Sequence, residues 1–245
     1  MVQTIDINVD VGEGVNNEAQ LMPFISSCNI ACGGHAGDLQ SMKTVVKLAQ
    51  KYKVKIGAHP SFPDKENFGR QQIKISCAAL YKSILGQVND LITVLRAENA
   101  SLHHIKPHGA LYNLAVTDVS TAKVIIEVVK SLLLPVKLYV PYNSVIANLA
   151  IKENIAVVYE AFADRNYNEN LTLVSRNEKN AIILDSEKLF SHVYRMIRQQ
   201  KVKTINGVEV KIIAHTFCVH GDNPKAINLI KNLSKKLEQI HINIE

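Results

Sequence analysis

Residues 28–58, which read CNIACGGHAGDLQSMKTVVKLAQKYKVKIGA, determine the fold class of this chain. The stretch starts with a short apolar run at 28–31, continues with a periodic segment at 38–52, and ends with a second β-branched run at 55–58. Apolar spacing of this kind predicts a strand, a helix and another strand. Because strands joined through a helix run parallel, the stretch predicts one unit of a parallel α/β fold.

The same unit recurs along the whole chain. Strand-like runs lie at 4–9, 28–31, 55–58, 102–105, 136–140, 156–159 and 216–219. Helical patterns lie at 38–52, 76–99, 120–133, 143–153, 185–200 and 224–239. About seven units in 245 residues predict a single parallel (β/α) barrel that spans residues 1–245 as one domain. An extra hairpin strand is predicted at 208–213, before the last barrel strand.

Composition narrows the class of protein further. Hydrophobic residues make up 47% of the chain and charged residues 20%, which is ordinary for a globular protein. The net charge of +6 comes from basic residues scattered along the helical patterns, and Trp is absent, so we expect no nucleic-acid partner. No apolar run reaches the ~18 residues that cross a bilayer, and no signal-peptide pattern starts the chain. We therefore expect no membrane partner and a cytoplasmic location.

Ionisable side chains concentrate where the predicted strands end. They are Asp10 and Glu13 after the first strand, His35 after the second, His59 after the third, Lys106 and His108 after the fourth, Glu160, Asp164 and Arg165 after the sixth, and His220 and Asp222 after the last. The carboxyl ends of barrel strands converge on one mouth, where the active sites of barrel enzymes lie. Charges that only solvate a protein would spread over the helices, so this pattern predicts an active site.

The segments that carry these residues resemble the signature blocks of the LamB/YcsF family. The matching blocks lie at 6–14, 29–38, 56–64, 105–112, 160–165 and 220–222. They occur in the order typical of that family and span nearly the whole chain. The chain departs from the family pattern at Asn166-Tyr167, directly after the 160–165 block.

The resemblance implies a barrel related to those of glycoside hydrolases and deacetylases. It also implies a hydrolase that acts on a cyclic amide, as the A subunit of ATP-dependent 5-oxoprolinase, which cleaves 5-oxo-L-proline (pyroglutamate) to L-glutamate. Such a chain would act with two further subunits, B and C, and the complex would use ATP with Mg²⁺. The sequence has no Gly-x-x-x-x-Gly-Lys-Ser/Thr phosphate loop, so we expect the chain alone not to couple ATP hydrolysis to ring opening.

Cleavage of an activated lactam requires groups that move protons and cations that hold anionic oxygens. At the family-matched positions we expect catalytic roles for Asp10, Glu13, His35, His59, Lys106, His108, Glu160 and Asp164. We expect substrate-binding roles for Asn8, Gly33, Gly34, Arg165, His220 and Asp222. Among them, Arg165 is the candidate clamp for the substrate carboxylate, with Asp164 or Glu160 fixing its position.

Structural alternatives to these roles stay open from the sequence. Lys106 and Glu160 could form a buried ion pair that holds the barrel mouth. Gly33 and Gly34 could serve only the geometry of a turn or the close approach of the backbone to its neighbours.

A bound metal is a further alternative, and its ligands would be Asp10, His59 and His108. Lactam activation by phosphorylation does not require a transition metal, so we expect none to be bound. The competing functions are a metal-dependent deacetylase of acetylated sugars and a non-catalytic binding subunit.

Overall fold

A closed ring of parallel strands forms the centre of the molecule. The computed structural model describes residues 3–245, which form ten strands: β1 Gln3–Val11, β2 Ser27–Ala31, β3 Lys55–His59, β4 His104–Ile105, β5 Lys137–Pro141, β6 Val157–Phe162, β7 Lys201–Lys203, β8 Glu209–Lys211, β9 Thr216–Val219 and β10 Ile242–Ile244. Seven strands pair in parallel in the order β1-β2-β3-β4-β5-β6-β9, and the pairing of β9 with β1 closes the barrel. The predicted parallel barrel of about seven strands is therefore confirmed.

Three strands lie outside this ring. Residues 3–5 of β1 pair in parallel with β10, whereas residues 6–9 of the same strand pair with β9. Strands β7 and β8 form an antiparallel hairpin, and β8 corresponds to the hairpin strand predicted at 208–213. Strand β10 was not predicted, because three residues carry no periodic signal of their own.

The helices cover the outside of the barrel. They are α1 Glu18–Leu21, α2 Leu39–Tyr52, α3 Cys77–Ala97, α4 Gly109–Ala115, α5 Val119–Ser131, α6 Val145–Lys152, α7 Ser186–Gln199 and α8 Ala226–Gln239, with a 3-10 turn at Met22–Phe24. Asp38 begins α2 with a capping box, because its carboxylate accepts from the Ser41 amide at 2.7 Å. The short helices α1 and α4 were not predicted. Among residues 3–245, no helix is long and apolar enough to cross a membrane.

The two faces of β1 show how the barrel is filled. Ile5, Ile7 and Val9 are buried in the apolar core, whereas Asn8 and Asp10, which alternate with them, contact polar side chains from other strands. The barrel interior is therefore a hydrogen-bonded polar column rather than the layers of branched apolar residues common in larger barrels. Every polar group in such a column needs a hydrogen-bond partner, since an unpaired buried polar group is costly in free energy.

One glycine makes room for the widest member of this column. His104 is completely buried, donates from Nε2 to Asn29 Oδ1 at 2.7 Å, and stacks on Tyr139 with 3.8 Å between ring centroids. A Cβ atom on Gly57, in the neighbouring strand, would lie 2.1 Å from His104 Nε2. Glycine is therefore required at this position of β3.

We expect Gly57→Ala to lower the free energy of unfolding by about 1–3 kcal/mol, because His104 has to leave its place in the column. Gly86→Ala is the matched control: Gly86 lies inside α3, and a Cβ there would meet nothing within 4 Å. That variant should be more stable than the parent by about 0.5–1 kcal/mol, from helix propensity. Urea unfolding measures both, and equal stability of the two variants would contradict the packing described here.

Candidate functional site

A cavity of about 500 Å³ opens among the residues that follow the carboxyl ends of the strands. The predicted site residues on its wall are Asp10, Glu13, His59, Lys106, His108, Glu160, Arg165, His220 and Asp222. The loop after β3 adds Arg70, and the segment between β6 and α7 adds a wall made of residues 171–177. The strand ends and two long loops together enclose this space.

Lys106 is the cation in the floor of the cavity, and its side chain is only 2% exposed. Its Nζ lies 3.0 Å from Asp10 Oδ1 and 2.9 Å from Glu160 Oε1. It also donates to Asn8 Oδ1 at 3.2 Å and to Cys218 Sγ at 3.0 Å. The buried ion pair of Lys106 with Glu160, which the sequence left open as an alternative, is therefore present.

The charge state of this cluster follows from its contacts. Burial works against the ammonium form, but Asp10, Cys218 and Glu160 outweigh it and raise the pKa of Lys106 well above its usual value. Burial alone would raise the pKa of Asp10, but its interactions with His59 and Lys106 hold that pKa well below its usual value. Lys106 is therefore a fixed positive charge at neutral pH and not a proton donor.

Glu13 and three histidines converge on one point beside Asp10. Each of the four supplies one ligating atom, and these atoms lie within 4.8 Å of one another. Glu13 Oε1 is 2.9 Å from His35 Nε2, 3.5 Å from His108 Nδ1 and 3.9 Å from His59 Nε2. Asp10 Oδ2 lies 3.4 Å from His59 Nε2. The metal ligands suggested by the sequence, Asp10, His59 and His108, therefore have Glu13 and His35 as immediate neighbours.

Burial determines the protonation of this cluster. It raises the pKa of Glu13 to about 7, with the negative charge of Asp10 acting in the same direction. Burial lowers the pKa of His35 to about 4. Burial, with the neighbouring rings of His59 and His35, lowers the pKa of His108 well below its usual value. His35 and His108 are therefore neutral at physiological pH and offer lone pairs instead of charge.

The loop between β3 and α3 holds two of these rings in place. Phe68 packs edge-on against His35 and His108, with ring centroids 5.2 Å and 5.5 Å away, and its carbonyl oxygen lies 3.0 Å from His108 Nε2. Gly69 follows with a φ of +62°, and its carbonyl oxygen accepts from the Ala110 amide at 2.9 Å. A Cβ on Gly69 would lie 2.9 Å from His35 Cβ, so the close approach of this loop needs glycine.

His220 forms a second acid–base unit with Asp164. Its Nδ1 lies 2.9 Å from Asp164 Oδ1, and the Asn223 amide donates to the other carboxylate oxygen at 3.1 Å. Burial would raise the pKa of Asp164, but its pairing with His220 outweighs burial and lowers that pKa. Asp164 is 1% exposed and lies behind the cavity wall, so it positions His220 and does not face the substrate space.

Arginines from two loops and one strand end line the rim. Asp222 Oδ2 lies 2.5 Å from Arg70 Nη2 and 3.1 Å from Arg176 Nη1. Arg165 donates from Nη2 to the carbonyl oxygen of Val174 at 2.5 Å, and its buried Nε has no hydrogen-bond partner within residues 3–245. A backbone carbonyl thus fixes Arg165, in place of the predicted Asp164 or Glu160. The rim presents several donors that suit an anionic group.

Three residues with a predicted substrate-binding role, Asn8, Gly33 and Gly34, do not line the cavity. Asn8 is completely buried inside the barrel, below the cavity. The amide of Gly33 donates to the Ala36 carbonyl at 2.8 Å within its own turn. A Cβ on Gly34 would lie 2.3 Å from Gln87 Oε1, so this glycine permits close packing. Turn geometry therefore describes Gly33, with its φ of +94°, and close approach describes Gly34. His35, predicted as catalytic, also lies one layer behind the wall.

Four residues of the site were missed by the sequence reasoning. Asn29 donates to Asp10 Oδ1 at 2.8 Å, and Cys218 contacts the ammonium group of Lys106. Both lie on barrel strands and alternate with apolar neighbours, and this alternation could have indicated that they face the barrel interior. Arg70 and Arg176 lie far along loops, with no strand end beside them. Sequence spacing would also mislead for His104. It lies four residues before His108, a spacing typical of paired metal ligands, but its side chain faces the polar column inside the barrel.

The fold and the site define a (β/α)-barrel protein in which acids, imidazoles and cations share one cavity at the carboxyl ends of the strands. Residues 5–245 match the model of the LamB/YcsF family. The chain belongs to the LamB/YcsF family, as its signature blocks predicted.

Known proteins similar to this chain agree with that assignment. The chain is 39% identical over 249 aligned residues to a Bacillus cereus protein named as the A subunit of 5-oxoprolinase, covering 99% of this chain and 98% of the relative. The solved structure of a lactam utilization protein from Thermus thermophilus superposes with a TM-score of 0.93 at 35% identity, covering 99% of each chain. A chitinase from Pseudoalteromonas aurantia, at 10% identity and a TM-score of 0.52 over 93% of this chain and 99% of that chain, shares the fold alone.

We expect Lys106→Met to destabilise the protein by about 3–5 kcal/mol, because two buried carboxylates lose their counter-ion. Glu160→Gln removes one of those carboxylates, so the double variant should be more stable than Lys106→Met alone. Urea unfolding of the single and double variants measures this coupling. Lys137→Met, at the exposed start of β5, is the control and should change stability by less than about 0.5 kcal/mol. Strictly additive effects of the two substitutions would contradict a shared charge cluster.

Proposed function

We propose that this chain is the A subunit of an ATP-dependent 5-oxoprolinase, which opens the lactam ring of 5-oxo-L-proline to give L-glutamate. The observation that carries the proposal is one cavity of about 500 Å³ with proton-transfer groups in its floor and arginines at its rim. A five-membered lactam with one carboxylate needs both kinds of group. The names of the B. cereus relative and of the T. thermophilus lactam utilization protein support the same class of substrate.

The chemistry sets the tasks of the site. Amide resonance makes the lactam carbonyl carbon a poor electrophile, so we propose that the γ-phosphoryl group of ATP is first transferred to the lactam oxygen, releasing ADP. A first water then attacks the activated carbon and the ring C–N bond breaks, which gives γ-glutamyl phosphate. A second water hydrolyses this acyl phosphate and releases L-glutamate and phosphate. The attacking water loses a proton, and the ring nitrogen gains one. The site therefore needs one group that accepts a proton and another that donates one.

Residues in the floor of the cavity can accept the proton. Atoms of Glu13, His59 and His108 converge on one point of the wall, where they are placed to take the proton of the attacking water. Lys106 keeps Asp10 ionised beside them and supplies positive potential for oxygen atoms that become negative during the reaction.

His220 is the group we assign to protonation of the ring nitrogen. Asp164 accepts from its Nδ1 and orients the ring, which lines the cavity; in the imidazolium form, Nε2 would carry the proton that passes to the ring nitrogen of the lactam. An imidazole oriented by a buried carboxylate is the usual arrangement for moving a proton at neutral pH. Arg165 and Arg176 would then bind the substrate carboxylate, as charged donors that line the same cavity.

The division of labour follows from what the sequence lacks. Without a phosphate loop of the common type, we assign ATP and Mg²⁺ binding to the complex with two further subunits, B and C. The relatives are themselves named as one lettered subunit of an enzyme, which supports an assembly.

We expect the purified chain to release no glutamate from 5-oxo-L-proline with ATP and Mg²⁺ alone. Adding both partner subunits should give glutamate, with ADP formed in proportion, and omission of ATP should stop the reaction. Glutamate and ADP are measured in the same samples. Glutamate from the isolated chain would overturn the division of labour.

No glutamate from the complete set of subunits would instead overturn the proposed function. Release of acetate from acetylated sugars by the chain alone, without ATP, would favour the deacetylase alternative.

We expect the complex to discriminate strongly against 2-pyrrolidone, which is the same lactam without the carboxylate. Arg176→Met should lower kcat/KM for 5-oxo-L-proline by about 10- to 150-fold, the value of one charged hydrogen bond at 1.5–3 kcal/mol. The same substitution should leave the weak reaction with 2-pyrrolidone nearly unchanged. Arg96→Met, at the exposed end of α3, is the control. An equal loss for both lactams would show that Arg176 does not bind the carboxylate.

A further inference from the structure

Two imidazoles in the cavity floor bring one ring nitrogen each to the same point. His59 Nδ1 lies 2.7 Å from the carbonyl oxygen of Lys106, and His108 Nε2 lies 3.0 Å from that of Phe68. A carbonyl oxygen only accepts hydrogen bonds, so each of these two nitrogens carries a proton. The remaining nitrogens, His59 Nε2 and His108 Nδ1, lie 2.9 Å apart and are the ones that could bind an ion.

Two ring nitrogens at this separation need either a shared proton between them or a metal ion beside them. Oxygens of two carboxylates approach the same point: Glu13 Oε1 is 3.5 Å from His108 Nδ1, and Asp10 Oδ2 is 3.4 Å from His59 Nε2. The ammonium group of Lys106 does not fill this role, because it binds Asp10 through the other oxygen, Oδ1. Two ring nitrogens and two carboxylate oxygens thus converge on one point.

We propose that Glu13, His59 and His108 bind one divalent transition-metal ion, with an open coordination position toward the cavity. Metal–ligand distances of about 2.0–2.1 Å place tetrahedral ligand atoms roughly 3.3 Å apart. The three separations here, 2.9, 3.5 and 3.9 Å, lie on both sides of that value. All three residues line the cavity, which is the arrangement of catalytic sites with three protein ligands.

His35 positions a ligand and does not bind the ion itself. Its ring is parallel to that of His108, with 3.6 Å between centroids and an interplanar angle of 2°. Two stacked rings cannot both direct in-plane lone pairs at one ion. His35 Nε2 instead lies 2.9 Å from Glu13 Oε1, where its N–H fixes the carboxylate. The carbonyl groups that accept from His59 and His108 have the same orienting function.

The ligands indicate the class of metal. Two imidazoles and one carboxylate suit Zn²⁺ and its first-row neighbours, whereas Ca²⁺ and Mg²⁺ prefer oxygen ligands alone. This inference departs from the sequence-based expectation that no transition metal is bound. It goes beyond the proposed function and changes the role given there to these three residues: when bound, the ion would make the attacking water more acidic in place of direct proton transfer to them. The inference does not depend on the proposed function, since the ligands are described without a substrate.

The test is a metal titration of the full chain, without substrate, ATP or partner subunits. The protein is first treated with a chelator and then titrated with Co²⁺, whose visible absorption reports ligand geometry, and the bound metal is counted by elemental analysis. We expect one Co²⁺ per chain and loss of the absorption when Zn²⁺ displaces it. Absence of stoichiometric binding of either ion would overturn the proposal and would show that a shared proton occupies the position.

Variants assign the ligands. His59→Ala and His108→Ala should lose stoichiometric binding, and Glu13→Gln, which preserves shape, should weaken it. His35→Ala should weaken affinity by about 10- to 100-fold and retain one ion per chain, as expected for an orienting residue. His241→Asn is the control, because His241 is exposed and its φ of 58° suits asparagine. Unchanged affinity in folded His59→Ala and His108→Ala, verified by circular dichroism, would overturn the ligand assignment.

Discussion

The positive charge of Lys106 is the constraint on which the rest of the site depends. Strands β1 and β6 bring the carboxylates of Asp10 and Glu160 to one buried point, where neither could stay ionised without a counter-ion. Because one ammonium group serves both, it holds the inner faces of these strands at a fixed separation. The position of Asp10 in turn sets the electrostatic environment of Glu13 and His59.

The site separates its charges into two layers. Carboxyl groups and imidazoles occupy the floor, and Arg70, Arg165 and Arg176 occupy the rim. An anionic substrate is therefore attracted to the mouth, while its uncharged end reaches groups that exchange protons. This separation comes from topology, because the floor residues lie close to the strand ends, whereas Arg70 and Arg176 come from long loops.

Features encoded by local pattern were predictable from the sequence. The barrel strands and the longer helices follow from apolar spacing and from caps such as Asp38. Most residues of the cavity wall were also predictable, because they follow the carboxyl ends of parallel strands and those ends converge on one mouth of the barrel. Strand position could not place Arg70 or Arg176, because long-range contacts with Asp222 determine the paths of their loops. It also could not show that His35 lies behind Glu13, because that depends on packing.

The two ionic clusters of the site differ in their access to solvent. The side chains of Arg70 and Asp222 are 44% and 23% exposed, whereas that of Lys106 is 2% exposed. The screening length falls from about 8 Å at physiological ionic strength to about 3 Å at 1 M salt, so concentrated salt weakens exposed pairs in contact but screens a buried cluster much less. Added salt therefore loosens the tie between the two rim loops and leaves the floor intact. The protein thus combines a rigid reaction floor with an entrance whose stiffness varies with the surrounding electrolyte.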